Sequence, residues 1–430
     1  MHQFFVPDPA HPLKPWVRQS RQNLGNGLSF ARGTRDRTRL GAVGRPLPPL
    51  EGLDRYVGVE ALLREQGTPV GWVRIPVVNG RCSPAAIQTA IGSQRRALLG
   101  PVPTPSTPPS VTVAVCTRNR GADLARCLDA MDQLEYPALD LLVVDNAPSD
   151  DAAERLIHSR YPRIRYVREP QPGLDRARNR AIADAQCDIL AFTDDDVIVD
   201  PRWAAALGAA FVGDPEVMAV TGLVIPSELE SDAQVFFERY RSFNRGFERI
   251  RAQATGPARS IAWRYGATGL FGTGANMAFR RAVFDQLGDF DPCLGAGTIC
   301  RGGDDLDLLF RVLKAGHALV YEPRALVRHR HRSDMAGLER QIADHGLGFS
   351  AYLVRTALAH PEERLGLARL AAWWWAKLLY RALRPKAPPL EVMRRLALAE
   401  LRGSIAGLKR YQQACAALAR EAAGAVTSPV

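Results

Sequence analysis

The apolar residues of this chain change period several times, and each change marks an element. Val70-Gly71-Trp72-Val73-Arg74-Ile75-Pro76-Val77-Val78 reads as short β structure closed by the turn pair Asn79-Gly80, and a helix with proline in its first turn is predicted from Pro84. Residues 100–110 interleave proline with Val, Thr and Ser, which suits neither helix nor central strand, so an extended linker is expected. Beyond it the pattern alternates. Val111 to Cys116, Leu141 to Val144, Ile164 to Val167 and Ile189 to Phe192 are short apolar runs that read as strands, whereas Leu124 to Gln133 and Arg176 to Ala185 have helical period. Such alternation predicts an α/β fold, a mostly parallel sheet flanked by helices that takes up ligands beyond the carboxyl ends of its strands. From about Gly337 the chain reads helical.

This organisation predicts a small α+β module over 51–99, the linker over 100–110, the α/β domain over 111–335 and a helical C-terminal region over 336–425. Residues 1–50, with Arg32, Arg35, Arg37 and Arg39 close together and few apolar residues, are expected to form a basic mobile arm. The span Gln234 to Arg264, rich in Phe, Tyr and Arg, suits a flap or an acceptor-side insertion, and its shape does not follow from its pattern.

The candidate chemistry sits where strands end. Thr117-Arg118-Asn119-Arg120, Asp145-Asn146 and Asp194-Asp195-Asp196 each follow an apolar run. Adjacent carboxylates repel one another, and a hard divalent cation that also bridges a phosphate would offset that repulsion. For an isolated triplet, a solvated acidic turn is the plainer alternative. A second acidic group, Asp304, Asp305 and Asp307, follows Gly302-Gly303 and opens a helical stretch. Attraction to the helix dipole, about 0.3 to 1 kcal/mol each, accounts for one such acid better than for three.

Composition narrows the field. A chain of 430 residues with 46% hydrophobic and 23% charged residues is an ordinary globular protein of two or three domains. A formal charge of +11 favours a polyanionic partner: nucleic acid, an anionic membrane surface or a phosphorylated substrate. The seven cysteines are scattered without a C-x-x-C pair, which argues against a disulfide framework or structural zinc and fits a reducing cytoplasm. No secretory signal is visible at the N-terminus. The run Leu365 to Leu383 carries too many charges for a membrane span, but Trp373-Trp374-Trp375 among Arg369, Lys377 and Arg381 suits peripheral contact with the inner membrane face. The alternative is a helix packed on its own domain.

Five spaced motifs carry a resemblance over about Val111 to Arg332: Val-Cys-Thr-Arg-Asn-Arg at the first strand exit, Val-Val-Asp-Asn at 143–146, Gly-Leu-Asp-Arg-Ala-Arg-Asn at 173–179, Asp194-x-Asp196 followed by Pro201, and Gly-Asp-Asp-x-Asp-Leu at 303–308. In that order they resemble the family 2 glycosyltransferases, inverting enzymes of GT-A fold that use nucleotide-diphosphate sugars. The resemblance implies that Thr117, Arg118 and Asn119 line the nucleotide site, that Asp145 accepts a hydrogen bond from the base, and that Arg178 meets the base or the diphosphate. It places Asp195 near the ribose, gives Asp194, Asp196 and His329 to a divalent metal, Mn²⁺ or Mg²⁺, and makes Asp305 the base. Asp304 stands where the family more often has Glu, which leaves Asp304 a second candidate for that role. The implied donor is a nucleotide sugar, expected to be UDP-linked, and the acceptor a hydroxyl of a saccharide or lipid-linked saccharide, with no nucleic acid.

Two rival readings account for part of the pattern. A sugar nucleotidyltransferase would also need acidic metal ligands, but no Gly-x-x-x-x-Gly-Lys loop follows the first strand. A basic protein that binds nucleic acid or membrane without catalysis leaves the paired acids unexplained, because carboxylates in a cleft repel polyanions.

Overall fold

A computed structural model describes residues 17–18, 27–30, 49–93, 100–103, 105–254, 262, 264, 266–383 and 390–426. Most of the basic arm expected over 1–50 lies outside the described residues. A small four-stranded sheet comes first, formed by β1 (Val17–Arg18), β2 (Gly27–Phe30), β3 (Gly58–Glu65) and β4 (Thr68–Pro76), followed by α1 (Pro84–Gly92). Ser83 caps α1 by accepting from the Ala86 amide, with Pro84 in the first turn where its missing N–H is harmless. The module has its own core, built on Val59, Ala61, Val73, Ile75 and Ile87. It is tied to the larger body by Tyr56, which donates to Glu230 at 2.7 Å, and by the ion pair of Arg64 with Asp200.

The larger body alternates strand and helix as the pattern predicts: β5 (Val111–Thr117), α2 (Gly121–Met131), β6 (Leu139–Asn146), α3 (Ala152–Arg160), β7 (Arg165–Glu169), α4 (Leu174–Asp184), β8 (Ile189–Asp194), β9 (Val197–Val199) and α5 (Trp203–Val212). It continues through β10 (Val217–Pro226), α6 (Asp232–Arg241), β11 (Ile250–Gln253), β12 (Asn276–Arg280), α7 (Ala282–Leu287), α8 (Asp304–Lys314) and β13 (Ala318–His329). The span whose shape was open from sequence thus begins with α6, whose start carries a capping box between Ser231 and Gln234, and contains β11. Residues 255–261 of it lie outside the described residues.

Nine strands form one sheet in the order β11-β13-β10-β12-β8-β5-β6-β7, with β9 pairing β13. The half formed by β8, β5, β6 and β7 is parallel throughout. In the other half β12 runs antiparallel to β8 and to β10, and β10 runs parallel to β13, so the sheet as a whole is mixed. Alternation along β5 divides two cores. Val111, Val113 and Val115 face Leu124 and Leu128 of α2 and Trp203 and Leu207 of α5. On the opposite face Ala114, with Leu142 and Val144 of β6, meets Ala177 and Ala181 of α4 and Leu308 and Val312 of α8. A strand covered on both faces favours apolar side chains on both, which Val113 to Val115 of β5 and Ile189 to Phe192 of β8 supply.

Three helices end the described chain: α9 (Met335–Ala359), α10 (Arg364–Ala382) and α11 (Leu390–Val426). They pack against one another, and α9 also meets α6 and α8. Buried Glu400 of α11 accepts from Tyr240 at 2.7 Å and from Arg241 at 2.8 Å, both on α6. Among the described residues no helix is long and apolar enough to cross a membrane.

Candidate active site

The acidic triplet straddles a turn between two strands with different partners. Asp194 ends β8, and β9 then pairs antiparallel with β13 in a register that sets Val197 opposite His329. Asp194, Asp196 and His329 therefore come together, each offering a ligand atom within 4.8 Å of the others. His329 Nε2 lies 3.3 Å from Asp196 Oδ1, a buried oxygen with no hydrogen-bond partner. The other oxygen of Asp196 accepts from Arg120 at 2.9 Å. Asp195 points inward, accepting from the Thr117 hydroxyl at 2.8 Å and from Arg120.

Burial pushes the Asp195 carboxyl up to about 7 against the pull of Arg120. Asp194 is likewise raised, by burial and then by Asp196. For Asp196 the upward push of burial is outweighed by His329 and Arg120, which hold it below the usual carboxylate range. A buried orphan carboxylate oxygen, a second carboxylate and an imidazole nitrogen converging on one point are a donor set that fits a divalent cation of the Mn²⁺ or Mg²⁺ kind.

The second acidic group is held by the N-terminus of α8. Gly303 precedes it with φ +94°, and a Cβ there would stand 2.5 Å from the Gly348 carbonyl of α9, so both backbone shape and closeness require glycine. The three acids that follow differ sharply. Asp304 is buried in an ion pair with Arg178, whose guanidinium also lies 3.6 Å from Asp175, 3.9 Å from Asp194 and 5.2 Å from the centre of the Phe290 ring. Asp305 accepts from the Gly274 amide through one oxygen and from the Leu306 amide through the other, each at 2.8 Å. Burial first, then Asp304, pushes its carboxyl up to about 6. Asp307 is fully buried and paired with Arg311 at 2.9 Å and Arg355 at 2.8 Å, a tie between α8 and α9.

At the far side of the same sheet edge, Asp145 lies in register with Thr117. One of its oxygens accepts from the Tyr166 hydroxyl at 3.0 Å, and the other is buried without a partner. Burial raises its carboxyl above the normal range. Asn119, in the left-handed region at φ +55°, accepts from the Ser149 amide at 2.9 Å, and Arg118 is exposed beside it.

Contacts run unbroken along this edge. Asp145 neighbours Thr117, Thr117 bonds Asp195, and Arg120 joins Asp195 to Asp196; from Asp194, Arg178 leads to Asp304 and so to Asp305. Sequence reasoning left Arg120 and Tyr166 out of the site. Arg120 stood in the first motif and was the one of these with a signal, a cation at a strand exit facing three acids.

A family model described as Glycosyltransferase like family 2 matches residues 108–343. Similar curated proteins include the Pre-mycofactocin glycosyltransferase of Mycobacterium tuberculosis, 28% identical over 279 residues, which are 63% of this chain and 54% of that protein. The chain thus spans about half the length of that relative. Glycosyltransferase AglE of Haloferax volcanii is 32% identical over 242 residues, 55% of this chain and 72% of that protein. Among solved structures, the mannosyltransferase PcManGT from Pyrobaculum calidifontis, in complex with GDP-Man and Mn²⁺, covers 76% of this chain and 78% of its own at 22% identity, with a TM-score of 0.43 that is too low to argue from.

Proposed function

The chain belongs to the Glycosyltransferase like family 2, and from that premise we propose that it moves a sugar, with inversion, from a nucleotide-diphosphate donor to a hydroxyl acceptor in a metal-dependent reaction. The observation that carries this reading is the meeting of Asp194, Asp196 and His329 around the orphan oxygen of Asp196. These three residues would hold a divalent cation, whose Lewis acidity neutralises the diphosphate leaving group. Asp305 takes the proton of the acceptor hydroxyl. Its carboxyl, raised to about 6, is ionised at neutral pH yet basic enough to accept that proton. Asp304 is committed to Arg178, which makes it the weaker candidate for base.

The free oxygen of Asp145, with its partner oxygen fixed by Tyr166, suits the ring N–H of uracil or guanine; a UDP-linked donor is our first choice. Thr117 and Arg120 hold Asp195 at the edge where a ribose would lie, and Arg118 and Asn119 flank the nucleotide. The acceptor is a saccharide or lipid-linked saccharide. The test is a panel of UDP- and GDP-sugars with Mn²⁺ and mixed acceptors, read by release of nucleoside diphosphate. Release of pyrophosphate from a nucleoside triphosphate, with none from nucleotide sugars, would replace this reading with nucleotidyl transfer.

The acceptor proposal extends to the membrane surface. The outward stripe of α10 exposes Leu365, Trp373, Leu379 and Tyr380, and Leu383 continues it, while the Lys377 ammonium lies 5.2 Å from the Trp373 ring. Apolar side chains with cations beside an aromatic ring suit an anionic headgroup layer. Sedimentation with vesicles containing anionic lipid, reduced in a Leu379→Glu/Tyr380→Glu variant, is the expected result. Equal recovery of wild type and variant in the supernatant would remove the membrane from the account.

A further inference from the structure

We propose that Arg241, Arg245 and Lys377 bind the phosphate or diphosphate through which a lipid-linked saccharide acceptor joins its sugar to its lipid. The inference rests on the transfer reading above and names the chemistry by which the acceptor is recognised.

The loop that follows α6 runs between the two halves of the site. Its Phe243 ring stands 5.6 Å from the His329 ring, on the metal side. Two residues on, Arg245 donates from Nε to the Gly269 carbonyl at 2.8 Å and from Nη1 to the Ser242 carbonyl. Thr268, beside Gly269, donates to the Leu306 carbonyl at 3.0 Å, and Leu306 follows the proposed base Asp305. Arg245 is thus tied to the base through one short turn, Thr268–Leu270. At the end of α6 the Arg241 guanidinium lies 4.7 Å from the centre of the Trp374 ring on α10, and the Lys377 ammonium lies 5.5 Å from the same ring and 5.2 Å from that of Trp373.

From Asp305 to the outer stripe of α10, the protein therefore presents a carboxylate, then guanidinium groups, then tryptophans beside a cation, and last apolar side chains. A molecule built as sugar hydroxyl, phosphate and lipid presents matching groups in that order. A neutral saccharide would use only the first.

The charge balance of this seam favours an anion. The hydrogen-bond partners of Arg245 are carbonyl oxygens, and among the described residues neither it nor Arg381, whose guanidinium lies 5.0 Å from the Tyr240 ring, forms an ion pair. Arg241 pairs with Glu400, which also accepts from Tyr240, and Glu238 is engaged by His331 at 2.7 Å. Burial first, then Arg241, holds Arg245 down to about 10; burial, then Arg381 and Arg241, holds Lys377 down to about 8. Both keep their charge at pH 7, so a phosphate between them relieves the repulsion, and guanidinium groups match its oxygens in pairs.

The test uses the full chain with chelator present, which removes metal-dependent donor binding, and geranyl diphosphate as a short soluble probe. Tryptophan fluorescence, to which Trp373 and Trp374 contribute, reads the affinity. Wild type is expected to bind geranyl diphosphate about 10-fold or more tighter than geraniol or inorganic diphosphate. Arg245→Gln should lose about 10- to 100-fold of that affinity with its charged hydrogen bonds. Lys377→Gln, on the half-exposed part of α10, should lose about fivefold, and it keeps the test open if Arg245→Gln does not fold.

Geraniol binding as tightly as geranyl diphosphate overturns the proposal, and so does inorganic diphosphate binding as tightly, which would mean an anion site with no lipid. Unchanged geranyl diphosphate affinity in folded variants overturns it as well. If those variants then sediment less with vesicles of phosphatidylglycerol in phosphatidylcholine, the cations serve bulk headgroups; if they instead bind UDP and Mn²⁺ more weakly, Arg245 belongs to the donor. A wild type that consumes no nucleotide sugar would defeat the transfer reading, and the geranyl diphosphate titration would still judge this site.

Discussion

Replacing Asp305 with Asn separates the proposed base from every other role an acid could have at that position. The carboxylate accepts from two backbone amides, Gly274 and Leu306, at 2.8 Å each. An Asn side chain can satisfy one of them through its carbonyl oxygen, and its NH₂ then confronts the other donor. Losing one such bond in a buried setting costs about 1 to 3 kcal/mol, and losing an anion from the first turn of α8 removes about 0.3 to 1 kcal/mol more. The variant should therefore fold and melt several degrees lower than wild type.

Removal of a general base slows the chemical step by about 10²- to 10⁴-fold, or roughly 3 to 5 kcal/mol of barrier. The assay is steady-state release of nucleoside diphosphate at 25 °C, well below melting, with donor and acceptor varied separately. The expected result is a fall in kcat of that size with the donor KM nearly unchanged. The pH profile gives a second readout. Because the carboxyl must be ionised to accept a proton and its pKa is raised to about 6, the wild-type rate should be level above that value and fall about tenfold per unit below it. The variant should lack this acid limb. A kcat within threefold of wild type, with the acid limb intact, would refute the assignment.

Asp196→Ala should abolish Mn²⁺ binding measured by calorimetry, because it removes the orphan oxygen and leaves Arg120 without one of its anions; retention of micromolar Mn²⁺ binding would contradict the placement of the metal. Asp307→Ala should destabilise the chain by about 3 kcal/mol in urea unfolding, since it leaves the buried Arg311 with carbonyl partners but no ion pair and Arg355 with Asp291 alone, while Mn²⁺ affinity stays as it was. An unchanged urea midpoint would mean that this buried pair is no structural tie. Asp145→Ala should raise the donor KM by about tenfold or more through loss of a charged hydrogen bond to the base, with kcat little changed. Equal KM values for wild type and variant would move the nucleobase elsewhere.

The parallel half of the sheet was legible in the chain because its strands are covered on both faces and its helices lie between them in order. The apolar runs at Val111, Leu141 and Ile189 each ended in polar residues, and parallel pairing brings those ends to one edge. The other half was not legible. β12 enters beside β8 from far along the chain, Asn276 pairing with Thr193, and such non-local pairing leaves no mark on local period.

The same distinction holds within the site. Acids grouped by adjacency, Asp194 to Asp196 and Asp304 to Asp307, could be found from the sequence, whereas their division of labour could not. That Asp307 is bound to Arg311 and Arg355, that Asp304 is bound to Arg178, and that Asp305 faces two amides depends on packing against α9 and on the loop before β12. The contact of His331 with Glu238, 93 residues away on α6, likewise leaves no mark on local pattern.

The central claim is that a divalent cation and a nucleotide-sugar donor occupy one site walled by Asp194, Asp196 and His329. Thermal unfolding of wild type and Asp196→Ala with a panel of nucleotide sugars, each with Mn²⁺ and with chelator, tests it most directly. At a ligand concentration 100-fold above Kd, a donor held by the metal should stabilise the wild type by about 2.7 kcal/mol with Mn²⁺ and by almost nothing with chelator or in the variant. A donor that stabilises wild type and variant equally, with or without the metal, would contradict it.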